Sequence, residues 1–307
     1  CIRDRATTTA MATKIIVTVR VTREGWHGSP ISDITPIRTS ASAVAFATYP
    51  PPMDRALSVV HGALTGDAAL DTAVSRAILL AVTEGTMGET LQVGTPHRDV
   101  AFGKHDTLAS GFGEALRIAR DLGYDATVRI AGGRAVVFSP TIIRFAWTMP
   151  ADAPATSMHE RFRHLANAVV RALSGLGIPS AIGELPDEYC AGEYSVNVLD
   201  TRKVMGVGQR LSRSAAQVGG MIVVSDPDDI NRALVPVYRA LGVPLDPSAT
   251  GSLADVRDVD IETVTDAFVA EIARGRATQE GSIDQAIMDR AARLRMDHVP
   301  DRFAPPS

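Results

Sequence analysis

Cysteine is almost missing from this chain: 307 residues hold only two, Cys1 and Cys190. So few thiols exclude a disulfide framework and suit a reducing compartment. Basic residues are not in excess either, with 31 lysines and arginines against 35 acidic residues and a formal net charge of -4. That balance argues against nucleic acid or an anionic membrane as the partner, so any basic site must be local. No apolar run approaches the roughly 20 residues that a membrane helix needs. The histidines His61, His97, His105, His159, His164 and His298 lack zinc-type spacing, and the reading assigns no metal site. There is no internal repeat. The expectation is a cytoplasmic protein with neither nucleic acid nor membrane as a partner.

What is present suffices for a core: 45% of residues are hydrophobic and 21% charged, which fits one large domain with a small appendage. The chain opens Cys1-Ile2-Arg3 without a methionine, and up to Pro52 it alternates Thr, Ser, Pro and small residues. Neither a helical period nor the apolar centre of a signal peptide is found there. Residues 1–52 are therefore expected to be a disordered or non-native segment, with Met53 as the start of the folded chain. Residues 53–245 are expected to form the main domain, and 246–307 a small helical accessory subdomain.

Within that frame, Asp67 precedes Leu70, Ala73, Ala77, Leu80 and Ala81 at helical spacing. Short strands are read at 91–93, 100–102, 128–130, 135–138 and 142–148, with a helix through Phe112, Leu116 and Leu122 that stops at Gly123. A further helix runs from His159 to Gly175 with Leu165, Val169 and Leu173 on one face. Strands at 194–199, 204–210 and 218–224 suggest an antiparallel meander, and helices follow around Val264 and Ile287. The fold class is α/β of the α+β type: a mixed, mostly antiparallel sheet flanked by helices, with a small C-terminal helical subdomain.

Three segments can carry chemistry. In Arg129-Ile130-Ala131-Gly132-Gly133-Arg134-Ala135, paired glycines let backbone amides lie against a phosphate or an acyl carbonyl while an arginine supplies charge. The bland alternative is a hairpin turn. Lys203-Val204-Met205-Gly206-Val207-Gly208-Gln209 sets a lysine at a strand start and small residues two apart on one face, leaving room for a ligand. Such a lysine can polarise an acyl carbonyl, and its removal is expected to cost transfer but little stability; the alternative is a solvated strand-end side chain. Cys190 lies thirteen residues earlier in a loop-like stretch, and a thiolate near a cation is a competent acyl acceptor, though many free cysteines are inert.

In this order, the pieces resemble the catalytic domain shared by biotin and lipoate protein ligases, in particular its lipoate-protein ligase and octanoyltransferase branch. The likeness rests on Val93-Gly94-Thr95-Pro96, the arginine-led Gly132-Gly133 loop and Lys203-Val204-Met205-Gly206-Val207-Gly208-Gln209, and spans residues 67 to 224. It implies Lys203 and Cys190 as catalytic residues. Substrate contacts are implied for Arg129, Gly132, Gly133, Arg134, Ala135, Gly206, Gly208 and Gln209. The chain departs from the family at Val128, where an arginine is usual, at Ala131 before the glycines and at Phe138-Ser139, where a His-Asp pair is usual. Gly208 stands for an alanine, and Gly219-Gly220 for a common histidine.

The implied activity is attachment of lipoate or octanoate to a lysine of a lipoyl-carrier domain or of the glycine cleavage H-type protein. As a ligase the chain would use ATP and magnesium. As a cysteine-dependent transferase it would take the acyl group from an acyl carrier protein thioester, without a cofactor. A non-catalytic acyl-binding or carrier-docking module is the third reading.

Overall fold

Residues 56–62 and 65–304 are described by the computed structural model, so the amino-terminal segment 1–52 lies outside the described residues. The clearest helical signal becomes α1 (Ala68–Thr83), where Asp67 accepts a hydrogen bond from the Leu70 amide. That bond satisfies one of the amides that a helix start leaves without an intrahelical partner.

Eight strands form the larger sheet. They are β1 (Leu57–His61), β2 (Thr90–Gly94), β6 (Ile142–Pro150), β7 (Ala181–Ile182), β8 (Val196–Val198), β9 (Arg202–Leu211), β10 (Ala215–Val223) and β11 (Thr278–Glu280). Their order is β11-β1-β2-β6-β10-β9-β8-β7. Pairing is parallel among β11, β1 and β2 and antiparallel from β2 onwards. The expected meander is β8, β9 and β10.

Period-two alternation divides this sheet into two faces. On β6, Ile143, Phe145, Trp147 and Met149 enter a core with α3 (Met158–Gly175) and α5 (Ile261–Ala273). The intervening residues Arg144, Ala146 and Thr148 turn the other way, in register with Met221, Gly219 and Gln217 of β10. That second face is covered by α1 through a Ser75 carbonyl that accepts from Gln217 Nε2 at 3.0 Å. The C-terminal elements join the same packing: β11 pairs with β1, and α6 (Gln285–Leu294) shares an apolar cluster with α1.

A smaller sheet of β3 (Asp99–Phe102), β4 (Asp125–Val128) and β5 (Val136–Phe138) has the order β4-β3-β5. It is backed by α2 (Phe112–Asp121) and α4 (Pro227–Leu241). The sequence reading contains no helix between Val224 and Asp246: Ile230, Ala233, Leu234, Val237, Tyr238 and Leu241 recur at helical spacing, but an internal Pro236 argues against a helix. The helix nevertheless forms, with Asp226 capping through the Asp229 amide, Pro227 in the first turn and Gly242 left-handed just beyond the end. No helix among the described residues is long and apolar enough to cross a membrane.

Candidate active site

Glu188 is the centre around which the site is built. The loop from Leu185 to Ser195 folds back on its own carboxylate: one oxygen accepts from the Leu185 amide at 3.1 Å, the other from the Gly192 amide at 3.2 Å and Ser195 Oγ at 2.6 Å. The fourth donor is Lys203 Nζ at 2.9 Å, and neither side chain of the pair is exposed. An ammonium has three protons to give, and Lys203 directs its other bonds to the carbonyls of Tyr189 at 2.8 Å and Cys190 at 3.1 Å. Its charge also lies 4.6 Å from the Tyr189 ring centroid. The solvated strand-end lysine weighed from the sequence is therefore overturned. β9 begins where Val196–Val198 pairs with it, and this carries Lys203 inward beneath the loop instead of into water.

This scaffold presents Cys190. Its backbone is left-handed, with φ of +43°, a conformation that non-glycine residues hold only when their surroundings enforce it. Here the Cys190 amide donates to the Tyr238 hydroxyl at 2.7 Å, and that hydroxyl donates to the Ala135 carbonyl at 2.9 Å. Tyr238 belongs to α4, so the helix absent from the sequence reading fastens the cysteine loop to β5. The Cys190 sulfur accepts from Arg129 Nη2 at 3.0 Å. Burial pushes the thiol's pKa up, but the charges of Arg129 and Lys203, the Arg129 hydrogen bond and the Arg134 amide outweigh it. The net shift is below the ordinary thiol value.

The glycine loop completes the pocket. A hairpin turn at Gly132-Gly133 is ruled out by topology, since β4 and β5 are not neighbours but flank β3 on opposite sides. The loop instead crosses above β3. Buried Asp106 holds it there, accepting from the Gly103 amide at 2.9 Å and from Arg134 Nη1 at 3.3 Å. Gly133 has φ of +98°, and a Cβ there would collide with Arg129 Nη2 and lie 2.6 Å from Cys190 Sγ. Gly133→Ala is expected to lower activity at least about a hundredfold, because displacing the reacting atom by about 1 Å has that effect. The left-handed backbone should cost about 1–2 kcal/mol in stability. Turnover measured beside chemical unfolding checks this: activity falling only in proportion to unfolded protein would mean the glycine merely shapes a turn.

Between this loop and the sheet runs a cleft of about 750 Å³, its open mouth included. Gly206 and Gly208 of β9 face Met221 and Gly219 of β10, and Gly220 follows. The missing side chains leave a trough across adjacent strands. A Cβ on Gly208 would lie 3.1 Å from the Ala131 methyl and 3.6 Å from the Gly132 carbonyl, so the trough passes directly under the glycine loop.

The expected site residues thus separate into groups. Arg129, Cys190, Gly206 and Gly208 line the cleft, Gly132 and Gly133 form its exposed lip, and Lys203 supports it from behind. Arg134 contributes its amide and carbonyl, the latter accepting from Arg129 Nη2 at 2.6 Å, while its side chain turns to Asp106. Ala135 is buried and offers its carbonyl to Tyr238. Gln209 is directed away from the cleft. It accepts from Arg161 Nε at 2.6 Å and donates to the Met158 carbonyl at 3.2 Å, fixing the start of α3. Glu188, Tyr189, Tyr238 and Arg144 were not singled out from the sequence. For Glu188 a signal existed, an acid two residues before a candidate cysteine. Among the described residues no cluster of three or more histidine, cysteine or acidic side chains could hold a metal ion. Arg129, the Arg134 amide and Gly133 are the groups that surround the Cys190 sulfur.

Comparison with known proteins shows the family to which the chain is similar. The profile of the lipoyl protein ligase A/B catalytic domain matches residues 67–273. An octanoyl-[GcvH]:protein N-octanoyltransferase of Geobacillus kaustophilus is 24% identical over 191 residues, which cover 62% of this chain and 67% of that protein. Among solved structures, a lipoate-protein ligase A bound with ATP aligns at a TM-score of 0.65 and 22% identity, over 80% of this chain and 95% of the other. A bi-partite lipoate protein ligase from Thermoplasma acidophilum, studied with its E2 lipoyl domain, aligns at 0.62 and 18%, over 80% and 93%. At these identities the structural likeness is one of fold.

Proposed function

Because the chain belongs to the lipoyl protein ligase A/B family of acyl-transfer enzymes, we propose that it is a cysteine-dependent transferase that moves an octanoyl-type acyl group from a carrier to a lysine of a lipoyl-carrier domain. One observation carries the reading: Cys190 Sγ lies in the cleft, 3.0 Å from Arg129 Nη2, with its pKa below the ordinary thiol value despite burial. A structural cysteine needs none of this.

The Cys190 thiolate attacks the acyl carbonyl, and a carbon–sulfur bond forms. The bond to the donor breaks, and the departing donor group takes a proton from water. The acyl-enzyme thioester is then attacked by the neutral amine of the acceptor lysine, which loses a proton to solvent as the amide forms and the Cys190 thiolate returns. Arg129 sits where negative charge moves from sulfur to the carbonyl oxygen, and Gly133 leaves the approach open. Lys203 acts through the Cys190 loop and by its charge.

The donor is either an acyl carrier protein thioester or an octanoyl H-type protein, the second suggested by the name of the Geobacillus relative. The ATP-dependent ligase reading, with magnesium, would ask Lys203 to leave Glu188 and two carbonyls, and Arg129 to leave Cys190 and Arg134. These engaged partners favour the transferase.

The experiment combines the purified protein and a lipoyl-domain acceptor with octanoyl carrier thioester, octanoyl H protein, or lipoate plus ATP and magnesium, followed by intact-mass measurement. An acyl mass gain on the acceptor without ATP, with the same mass trapped on Cys190, is the expected result. Gain only with ATP would make the protein a ligase, and no gain in any mixture would leave a binding module.

A further inference from the structure

The acyl trough does not end in apolar residues. Gly206 lies beside Lys203, and in register with it across the sheet come Met221 and then Arg144. Arg144 is therefore two strand spacings, about 10 Å, from Gly206. It lines the cleft together with Thr72, Ser75 and Gln217.

Among the described residues the Arg144 guanidinium has no hydrogen-bond acceptor and no ion-pair partner. Its one defined contact is the Phe138 ring, 5.4 Å from Cζ to centroid, which holds the plane of the charge in place. Asp71 and Asp99 attract it only from a distance. Asp71 Oδ1 accepts from the Thr65 amide at 2.6 Å and from its hydroxyl at 2.8 Å. Burial and the neighbouring Asp125 push the pKa of Asp99 well above the usual carboxylate range, and no ion pair joins it to Arg144 among the described residues. The other polar groups of the cleft take part in bonds of their own. Ser75 Oγ donates to Gln92 Oε1 at 3.0 Å, and Gln217 Nε2 donates to the Ser75 carbonyl and to Thr148 Oγ1 at 2.7 Å. Arg144 is half-buried; a cation partly withdrawn from water without a partner is unfavourable, and burial correspondingly lowers its proton affinity. A saturated hydrocarbon tail would add to that desolvation and supply no acceptor to the guanidinium.

We infer that Arg144 is a specificity-determining residue that receives the far end of the acyl chain, and that the cleft selects acyl groups ending in a carboxylate over plain octanoyl. The inference rests on the reading of this cleft as the acyl site. A guanidinium presents two parallel N–H groups that match a carboxylate. With the reacting carbonyl at Cys190 and the terminal carboxylate at Arg144, the chain is held at both ends.

The test uses octanamide and the monoamide of octanedioic acid, whose amide stands in for the reacting carbonyl, titrated calorimetrically into the wild-type protein and Arg144→Met. Wild type should bind the carboxylate-ended probe at least about tenfold more tightly, a difference of about 1.4 kcal/mol. Arg144→Met should abolish that preference or reverse it. Because Met replaces an unpaired charge by an apolar chain, its melting temperature should be equal or higher; Arg144→Lys should keep part of the preference. Equal binding of the two probes by wild type, or a preference unchanged in Arg144→Met, overturns the inference. Acylation of Cys190 by the matching thioesters is read separately by mass. If the carboxylate-ended probe binds through Arg144 but no thioester acylates Cys190, the transferase reading fails while the role of Arg144 stands.

Discussion

Cys190→Ser should abolish acyl transfer, by at least about a thousandfold, and leave the protein folded. A serine hydroxyl in the same place has no low-pKa anion to offer, and among the described residues no general base is seen to bond its position. Arg129 and Lys203, the charged groups nearest the sulfur, are cations. Loss of a nucleophile removes the covalent route altogether, leaving only what binding and positioning provide. Stability should change little, because the loop is fixed by the Cys190 amide and carbonyl, not by its side chain. In the wild type, the pH dependence of acylation should carry the same message. Reactivity follows the thiolate, whose pKa is lowered, so the rising limb should lie below that of a free cysteine. Arg129→Met removes the larger lowering charge while burial persists, and the limb should move to higher pH. Stopped-flow acylation across pH, with acyl-enzyme mass as a control, would reveal either result. A limb at the ordinary thiol position, or one unmoved in Arg129→Met, would mean that the sulfur is not activated by this arrangement.

The frame of the molecule was legible because it depends on local patterns. Asp67 before an apolar row, the alternation in 142–148 and the three strands from Val196 onwards each signal one element without outside help. α4 was not read, because an internal Pro236 argues against a helix although its apolar period and its caps are both regular. Of the site, glycine pairing and the Lys203 segment could be seen, since both are contiguous in the chain. Direction could not. Gln209 sits one residue from Gly208, and strand alternation sends it to the opposite face, where Arg161 waits for it. The lysine had a further signal in composition: of 31 basic residues only Lys14, Lys104 and Lys203 are lysines. Where arginine is used nearly everywhere, a retained lysine marks a place that needs a compact charge. Glu188, Tyr238 and Arg144 owe their meaning to what does or does not lie across from them, which only the tertiary structure supplies.

Lys203→Ala should destabilise the protein by about 3–5 kcal/mol, since it leaves the buried Glu188 carboxylate without its cation. Three donors remain to Glu188, from Leu185, Gly192 and Ser195, so the loop should loosen instead of collapsing. The released carbonyls of Tyr189 and Cys190 have no other donor, and the left-handed turn at Cys190 loses one of its restraints. A domain typically holds 5–15 kcal/mol in all, so the variant should fold but melt early. Activity should drop more than the folded fraction does, because the thiolate also loses a charge that lowers its pKa. Lys203→Arg separates charge from shape. It keeps the cation, but a planar fork does not fit a fully buried slot in which Lys203 Cε already lies 3.2 Å from where a Cβ on Gly206 would be. It should therefore also destabilise, while holding the pH limb of acylation nearer the wild-type position than Lys203→Ala does. Combining Lys203→Met with Glu188→Gln removes both charges and should recover part of the lost stability, because neither is then stranded. Transfer should not recover with it. Urea unfolding of the four proteins, read beside their acylation rates, decides the matter. A stability change within about 0.5 kcal/mol for Lys203→Ala is what a solvated surface side chain gives, and it would contradict the buried Lys203–Glu188 pair on which the cysteine loop depends.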